Sequence, residues 1–249
     1  MSIAEMQTKL KGKVAIVTGA SAGVGWHTAK ALAQEGVKIV ATARREHRLE
    51  QLTSEIRAKA GEAAYYVGDA SRGETAEKTA ALALQSFGRI DILINNAGMG
   101  NYKKLVETSE DEYDEMMDAN MRSSFVFSRF VAPHLIAQRS GTVLFISSVA
   151  GMQGFPNEAV YCATKFAQVG FAQALDGELR GHGVRVGVIC PGGVKTEFAI
   201  GKGRTTQSVA DSYMMEASEV ADAIVFACMQ DSHTRVLQMT IRHLGAPQH

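Results

Sequence analysis

Short runs of apolar residues alternate along this chain with longer stretches in which apolar positions recur every three or four residues. Val14 to Val17, Val37 to Thr42, Ala63 to Val67, Ile90 to Ile94, Val143 to Ile146 and Val184 to Ile189 are short and rich in β-branched residues, so they read as strands. The stretches between them, of roughly 12 to 25 residues, have the length and period of helices. Such alternation predicts βαβ units and a parallel sheet. Right-handed crossovers and a glycine-rich first turn favour a doubly wound α/β sheet. The least patterned segment, Glu197 to Tyr213, follows the sixth strand and is rich in Gly, Thr, Ser and Lys. At a strand's carboxyl end a loop this long is expected to be a substrate lid, the plainer alternative being a surface loop.

A length of 249 residues suits one domain over 1–249, because a chain of this size buries about three quarters of its unfolded surface in a single core. Its 26 basic and 26 acidic residues balance, leaving no global field to draw nucleic acid or an anionic membrane. A small-molecule partner is expected instead. Met1 to Gly12 contains no apolar leader core, and no run approaches the ~18 to 20 apolar residues that a bilayer requires. A cytoplasmic protein without membrane partners is therefore expected. Cys162, Cys190 and Cys228 are far apart and lack metal-ligand spacing, as reduced thiols would. The seven histidines are likewise scattered, so no metal is expected.

The candidate chemistry centres on Tyr161 and Lys165, which stand four residues apart on a helical stretch and therefore share a face. A cation beside a phenol favours the phenolate and lowers a pKa that is otherwise near ~10, which suits a general acid or base. Six tyrosines and twelve lysines in 249 residues supply roughly 0.3 such pairs by chance, so the spacing needs context. Context comes from Gly141 to Ser148, a buried strand pattern ending in two hydroxyls thirteen residues before Tyr161. It also comes from the loop Thr18-Gly19-Ala20-Ser21-Ala22-Gly23-Val24-Gly25, whose glycines allow a tight turn and close approach to a pyrophosphate. Cys162 adjoins Tyr161, but neighbouring helix positions point apart, so packing is a simpler role for it than catalysis.

With Asn95-Asn96-Ala97-Gly98, Asn120 and Pro191-Gly192-Gly193-Val194-Lys195-Thr196, these motifs occur in the order found in the short-chain dehydrogenase/reductases. The chain resembles that family from about Leu10 to Arg242. The resemblance implies a Rossmann fold of seven strands in the order 3-2-1-4-5-6-7, with Val236 to Ile241 as the last. It implies that Gly19, Ser21, Gly23, Val24 and Gly25 cradle the dinucleotide, and that Asp69 lies on the adenine. Asn95, Ala97 and Gly98 are then expected under the adenosine ribose, and Pro191, Gly192, Val194 and Thr196 at the nicotinamide carboxamide. Tyr161 becomes the proton donor or acceptor, Ser148 a hydrogen-bond donor to the substrate oxygen, and Lys165 a ligand of the nicotinamide ribose. Asn120 matches the asparagine that holds a relay water, although a polar residue interrupting a helix is the simpler alternative. Met99, Met152, Phe155 and Phe198, with Tyr102, Met214 and Met215, are expected around a largely apolar substrate pocket.

Arginine at the end of the second strand suits the extra phosphate of NADP, whereas a carboxylate there would accept the ribose hydroxyls of NAD. Ala43 followed by Arg44 therefore favours NADP(H), with NAD(H) possible; Ala22, where many NADP-using relatives have a basic residue, points the other way. Arg44 and Arg45 read more simply as two solvated charges opening a helix. The expected activity is hydride transfer to a carbonyl or from a secondary alcohol. A 3-oxoacyl thioester reductase is an alternative, against which the tail Thr240 to His249 speaks, and a non-catalytic dinucleotide sensor is another. The resemblance also implies a homodimer or homotetramer through the long helices beginning near Glu110 and Val160.

Overall fold

The apolar runs form one parallel sheet in a computed structural model that describes residues 9–246. Expectations about Met1 to Thr8, and about the last three residues of the tail, concern residues outside those described. The sheet strands are β1 (Val14–Thr18), β2 (Lys38–Ala43), β3 (Ala63–Val67), β4 (Ile92–Asn95), β5 (Gly141–Ile146) and β6 (Val184–Pro191). Two short strands, β7 (Val194–Lys195) and β8 (Met215–Glu216), pair with each other, and β9 (Gln238–Ile241) completes the main sheet. Its order is β3-β2-β1-β4-β5-β6-β9, which is the doubly wound order expected, with β9 as the seventh strand. The ladders are shorter than the apolar runs at some ends: β4 opens at Ile92 rather than Ile90, and β9 at Gln238 rather than Val236. Ile90 is fully buried all the same, since an apolar residue stays in the core beyond the last ladder hydrogen bond.

Between the strands run α1 (Gly23–Gln34), α2 (Glu46–Arg57), α3 (Gly73–Phe87), α4 (Glu110–Met117), α5 (Ser123–Gln138), α6 (Ala159–Leu179), α7 (Thr206–Ala210) and α8 (Ala217–Cys228). Alternate strand residues face opposite sides of the sheet. Ala15, Val17, Ile39 and Ile94 pack with Leu32 of α1, Leu52 of α2 and Ile224 of α8. Val14, Ile16, Leu93 and Phe145 pack with Ala80 of α3, Phe127 of α5 and Leu175 of α6. Each fully buried Val, Leu, Ile or Phe side chain contributes roughly 1.5–3 kcal/mol relative to exposure, so both layers hold the sheet. No described helix is long and apolar enough to cross a membrane.

Two local features differ from the sequence pattern. The long helix expected from Glu110 starts with a capping box, Ser109 with Glu112, but is broken by a π turn at Asp118–Arg122 before α5 begins. The unpatterned segment 197–213 contains α7, opened by a second box in which Thr205 Oγ1 accepts from Ser208 N (3.0 Å) and Ser208 Oγ accepts from Thr205 N (2.9 Å). Five residues are too few to show a helical period.

Candidate active site

All the parallel strands of the main sheet end on one edge, and that edge opens into a cavity of about 1050 Å³. The β1–α1 loop forms its floor. Thr18 Oγ1 accepts from the backbone N–H groups of Asn96 and Ala97, both at 2.9 Å, and donates to Ile94 O, joining the ends of β1 and β4. Gly19 has φ +65°, and a Cβ there would stand 2.8 Å from Ala97 Cα. A side chain would therefore fill the cradle. The N-cap of α1 is Ala22, with no side-chain cap and no acidic residue in the first turn, so the helix's open N–H groups and positive dipole end are available to an anion. A negatively charged, elongated molecule such as a dinucleotide suits this floor. The cavity stands at the upper end of the ~300–1,000 Å³ usual for a small-ligand pocket.

Above the floor, Ser148 continues from β5, and its Oγ accepts from Ala150 N at 3.1 Å. Tyr161 and Lys165 share the inner face of α6, and all three line the cavity. The Lys165 Nζ lies 5.7 Å from the Tyr161 ring centroid, but it donates to Ile146 O (2.9 Å) and Gln168 Oε1 (3.0 Å) rather than to the phenol. Burial therefore governs both groups. It pushes the Tyr161 phenol up to about 12, partly offset by hydrogen bonding to Ser148 and by the charge of Arg204, and it lowers the Lys165 ammonium to about 8. The expectation that Lys165 depresses the tyrosine is not met by this geometry, because the ammonium is directed away from the phenol oxygen.

The short-chain dehydrogenase family model matches residues 13–207. The chain belongs to that family. An uncharacterized oxidoreductase of Staphylococcus epidermidis is 34% identical over 234 residues, covering 94% of this chain and 98% of that protein. A 3-oxoacyl-[acyl-carrier-protein] reductase of Thermotoga maritima is 30% identical over 90% of this chain and 93% of its own. Among solved structures, the alcohol dehydrogenase of the archaeon Thermococcus sibiricus complexed with 5-hydroxy-NADP superposes with a TM-score of 0.86 at 28% identity, over 95% of this chain and 99% of that one. This short-chain dehydrogenase is an oxidoreductase, and its cavity can be compared residue by residue with the motifs of its sequence.

Gly19, Ser21, Gly23, Val24, Arg44, Asp69, Ala97, Gly98, Pro191, Gly192, Val194 and Thr196 all line the cavity, as do Met99, Phe155 and Phe198. Gly25 lies beneath the floor. Asn95 does not reach the cavity: it is buried in the sheet, with Nδ2 on Ser128 Oγ at 3.3 Å, because alternation along β4 turns it inward. Asn96 faces the cavity in its place and donates to Thr18 O at 2.9 Å. Met152 is outside the cavity as well, half exposed, with its sulfur accepting from Thr240 Oγ1. Asn120 sits in the π turn, a common site of functional irregularity, and is fully buried. Its Oδ1 accepts from Met99 N (2.7 Å) and its Nδ2 donates to Met99 O (2.9 Å) and Thr164 Oγ1 (2.8 Å), so the side chain pins the Met99 segment to α6.

Gln168, which no sequence motif marks, also belongs to the site, as do Arg45 and Glu197. Gln168 is buried, accepts from Lys165 Nζ, and donates to Asn120 O and Ser124 Oγ, each at 2.9 Å. Its position one turn after Lys165 was the available signal. Arg45, beside the Arg44 expected to read the cofactor, reaches Ser21 Oγ (3.0 Å) and Glu197 Oε1 (2.5 Å), tying the β1–α1 loop to the segment after β7. Among the described residues, no cluster of three or more His, Cys, Asp or Glu could hold a metal.

The buried ammonium gives a first expected result. Burial disfavours its charged form, so one lysine of the dinucleotide-free protein should lose its proton with a midpoint near 8 when followed by NMR of labelled lysine. That transition should vanish in Lys165→Met. A Lys165 midpoint at or above the ordinary ~10.4 would show the group to be solvated.

Proposed function

We propose that this short-chain dehydrogenase transfers hydride between NADP(H) and the carbonyl or secondary alcohol of a small to medium, partly apolar substrate. The observation that carries this proposal is the meeting of Ser148, Tyr161 and Lys165 in the same cavity as the β1–α1 glycine loop. A bound nicotinamide dinucleotide would supply or accept the hydride. Gly19, Gly23 and the open N-terminus of α1 would hold its pyrophosphate; Asp69, Ala97 and Gly98 its adenosine end; and Pro191, Gly192, Val194 and Thr196 its nicotinamide end. A phenol raised to about 12 stays protonated at neutral pH, which suits Tyr161 to donate its proton to the carbonyl oxygen. Ser148 donates a hydrogen bond to the same oxygen and stabilises the charge that develops there. Gln168 and Ile146 O fix Lys165, and Asn120 fixes the wall at Met99. The segment 197–213 overhangs the cavity through Phe198 and Arg204, which supports its role as a substrate lid.

The protein is proposed to be cytoplasmic and to assemble as a homodimer or homotetramer through α4–α5 and α6. The exposed rings of Phe125 and Phe166 on those helices support such a contact. Reduction of a 3-oxoacyl thioester is the alternative substrate choice, favoured by the likeness to the Thermotoga maritima reductase.

Cofactor choice provides the test. Arg44 lines the cavity beside Asp69, and Arg45 presents a second guanidinium one residue on, although Glu197 already pairs with it. A guanidinium–phosphate pair contributes ~1.5 to 3 kcal/mol, and competition from Glu197 favours the lower end. NADPH is therefore expected to exceed NADH in kcat/KM by about tenfold. Ala43→Asp with Arg44→Ala should reverse the order, because the carboxylate repels the phosphate and accepts ribose hydroxyls. Equal kcat/KM for the two cofactors in the wild-type enzyme would overturn the NADP assignment.

A further inference from the structure

Among the cations that line the cavity, Arg204 is one that the proposed chemistry leaves without a task. Its guanidinium carbon lies 5.2 Å from the centre of the Tyr102 ring and 5.9 Å from that of Phe198. Both rings also flank Tyr161, at 5.4 and 5.9 Å, so the guanidinium stands one aromatic ring away from the proton donor. The backbone builds this position. Tyr102 N donates to Lys202 O (2.9 Å), Gly201 N to Arg204 O (2.9 Å) and Arg204 N to Ala199 O (3.0 Å), closing residues 199–204 into a tight loop against Tyr102. Gly203 has φ +103°, and a Cβ there would come within 2.4 Å of the Tyr102 Cβ. Only glycine lets the loop approach this closely.

Stacking on aromatic rings occupies the face of a guanidinium and leaves its N–H fork free in the plane. Arg45 and Lys202, the neighbouring cations of the cavity wall, are already paired with Glu197 and Glu115. Among the described residues, no carboxylate reaches ion-pair distance of the Arg204 guanidinium. Glu158, whose carboxyl feels its charge, is half-buried, and burial pushes its pKa up while Arg204 pulls it down. The fork is thus a part-exposed, aromatic-backed donor pair without an acceptor, at a fixed position beside the reacting group, with the apolar side chains of Met99 and Phe155 on the same cavity wall.

We propose that Arg204 anchors a substrate carboxylate, so that the preferred substrates are oxo acids and hydroxy acids whose reacting carbon is separated from the carboxylate by a short apolar spacer. A carboxylate matches the planar fork through two parallel hydrogen bonds, and the flanking rings leave that fork free to receive it. The anchor fixes which carbonyl faces Tyr161, and the proton itself comes from Tyr161. This substrate class rests on the hydride-transfer function proposed above.

The test pairs oxo acids of increasing spacer length with their methyl esters, using the full-length protein and NADPH, and measures binding of each acid to the NADPH-loaded protein by calorimetry. In the wild-type enzyme the best acid should exceed its ester in kcat/KM by about tenfold or more. Arg204→Met keeps the alkyl packing and removes the fork. It should abolish that preference and the calorimetric binding of the acid, and Arg204→Lys should recover part of both. Equal turnover of acid and ester by the wild-type enzyme, or equal losses on both in Arg204→Met, would overturn the anchor while leaving hydride transfer standing. Acid binding that depends on Arg204 without turnover of any carbonyl would uphold the anchor and overturn the hydride-transfer function.

Discussion

Tyr161→Phe is expected to lower kcat by about 10²–10⁴-fold while leaving NADPH binding close to that of the wild-type protein. The ring is almost wholly buried, in edge contact with Tyr102 at 5.4 Å and tilted against Phe198 at 5.9 Å, and phenylalanine preserves both contacts. Only the phenolic hydroxyl and its transferable proton are lost. Steady-state turnover on an activated ketone, together with fluorescence titration of NADPH, separates the two effects. Activity within tenfold of the wild-type enzyme would remove Tyr161 from the role proposed for it. A parallel loss of NADPH affinity would show instead that the phenol belongs to the cofactor site.

How much of this arrangement could be read from the chain depends on the range over which each feature is determined. Val14–Thr18 is buried at every position, so its apolar run marks a central strand without help from the rest of the fold. The turn at Gly19 and the helical spacing of Tyr161 and Lys165 are local too, and both stand where the pattern placed them. The direction of the Lys165 ammonium is not local. It is decided by Ile146 O, at the end of β5, and by Gln168, whose own amide is held by the π turn forty-eight positions earlier at Asn120. A helical wheel gives the face of a side chain but not the acceptors waiting there. Asn95 and Met152 miss the cavity for similar reasons. One is turned inward by the pleat of β4, and the other is drawn to Thr240 across the mouth of the sheet. Arg204 is the extreme case, since its position comes from the approach of Gly203 to Tyr102, a hundred residues away, and no periodicity encodes that contact.

Gly25→Ala is expected to lower kcat/KM by about 10²-fold together with a fall in melting temperature, although alanine is the better helix former. Gly25 lies in the first turn of α1 at a φ that any residue adopts, so helix propensity alone would favour alanine by ~1 kcal/mol. The added methyl, however, would stand 2.6 Å from Gly19 O and 2.4 Å from Asn96 Nδ2. Asn96 could swing aside only by giving up its hydrogen bond to Thr18 O, and Gly19 O is backbone that cannot move without the cradle. Overpacking of this kind costs roughly 1–3 kcal/mol, which exceeds the propensity gain over most of its range. At about 2–4 °C per kcal/mol for a protein of this size, the net loss should appear as a modest drop in Tm. Function should suffer more than stability, because the displaced atoms form the floor on which the pyrophosphate would lie, and a misplacement of about 1 Å costs roughly 10²-fold in rate. Differential scanning calorimetry and kcat/KM on a common ketone test the pair of effects. An unchanged Tm with unchanged kcat/KM would mean that α1 can shift outward on β1 without disturbing Gly19, and that close packing of the helix on the loop is not what shapes the cofactor floor.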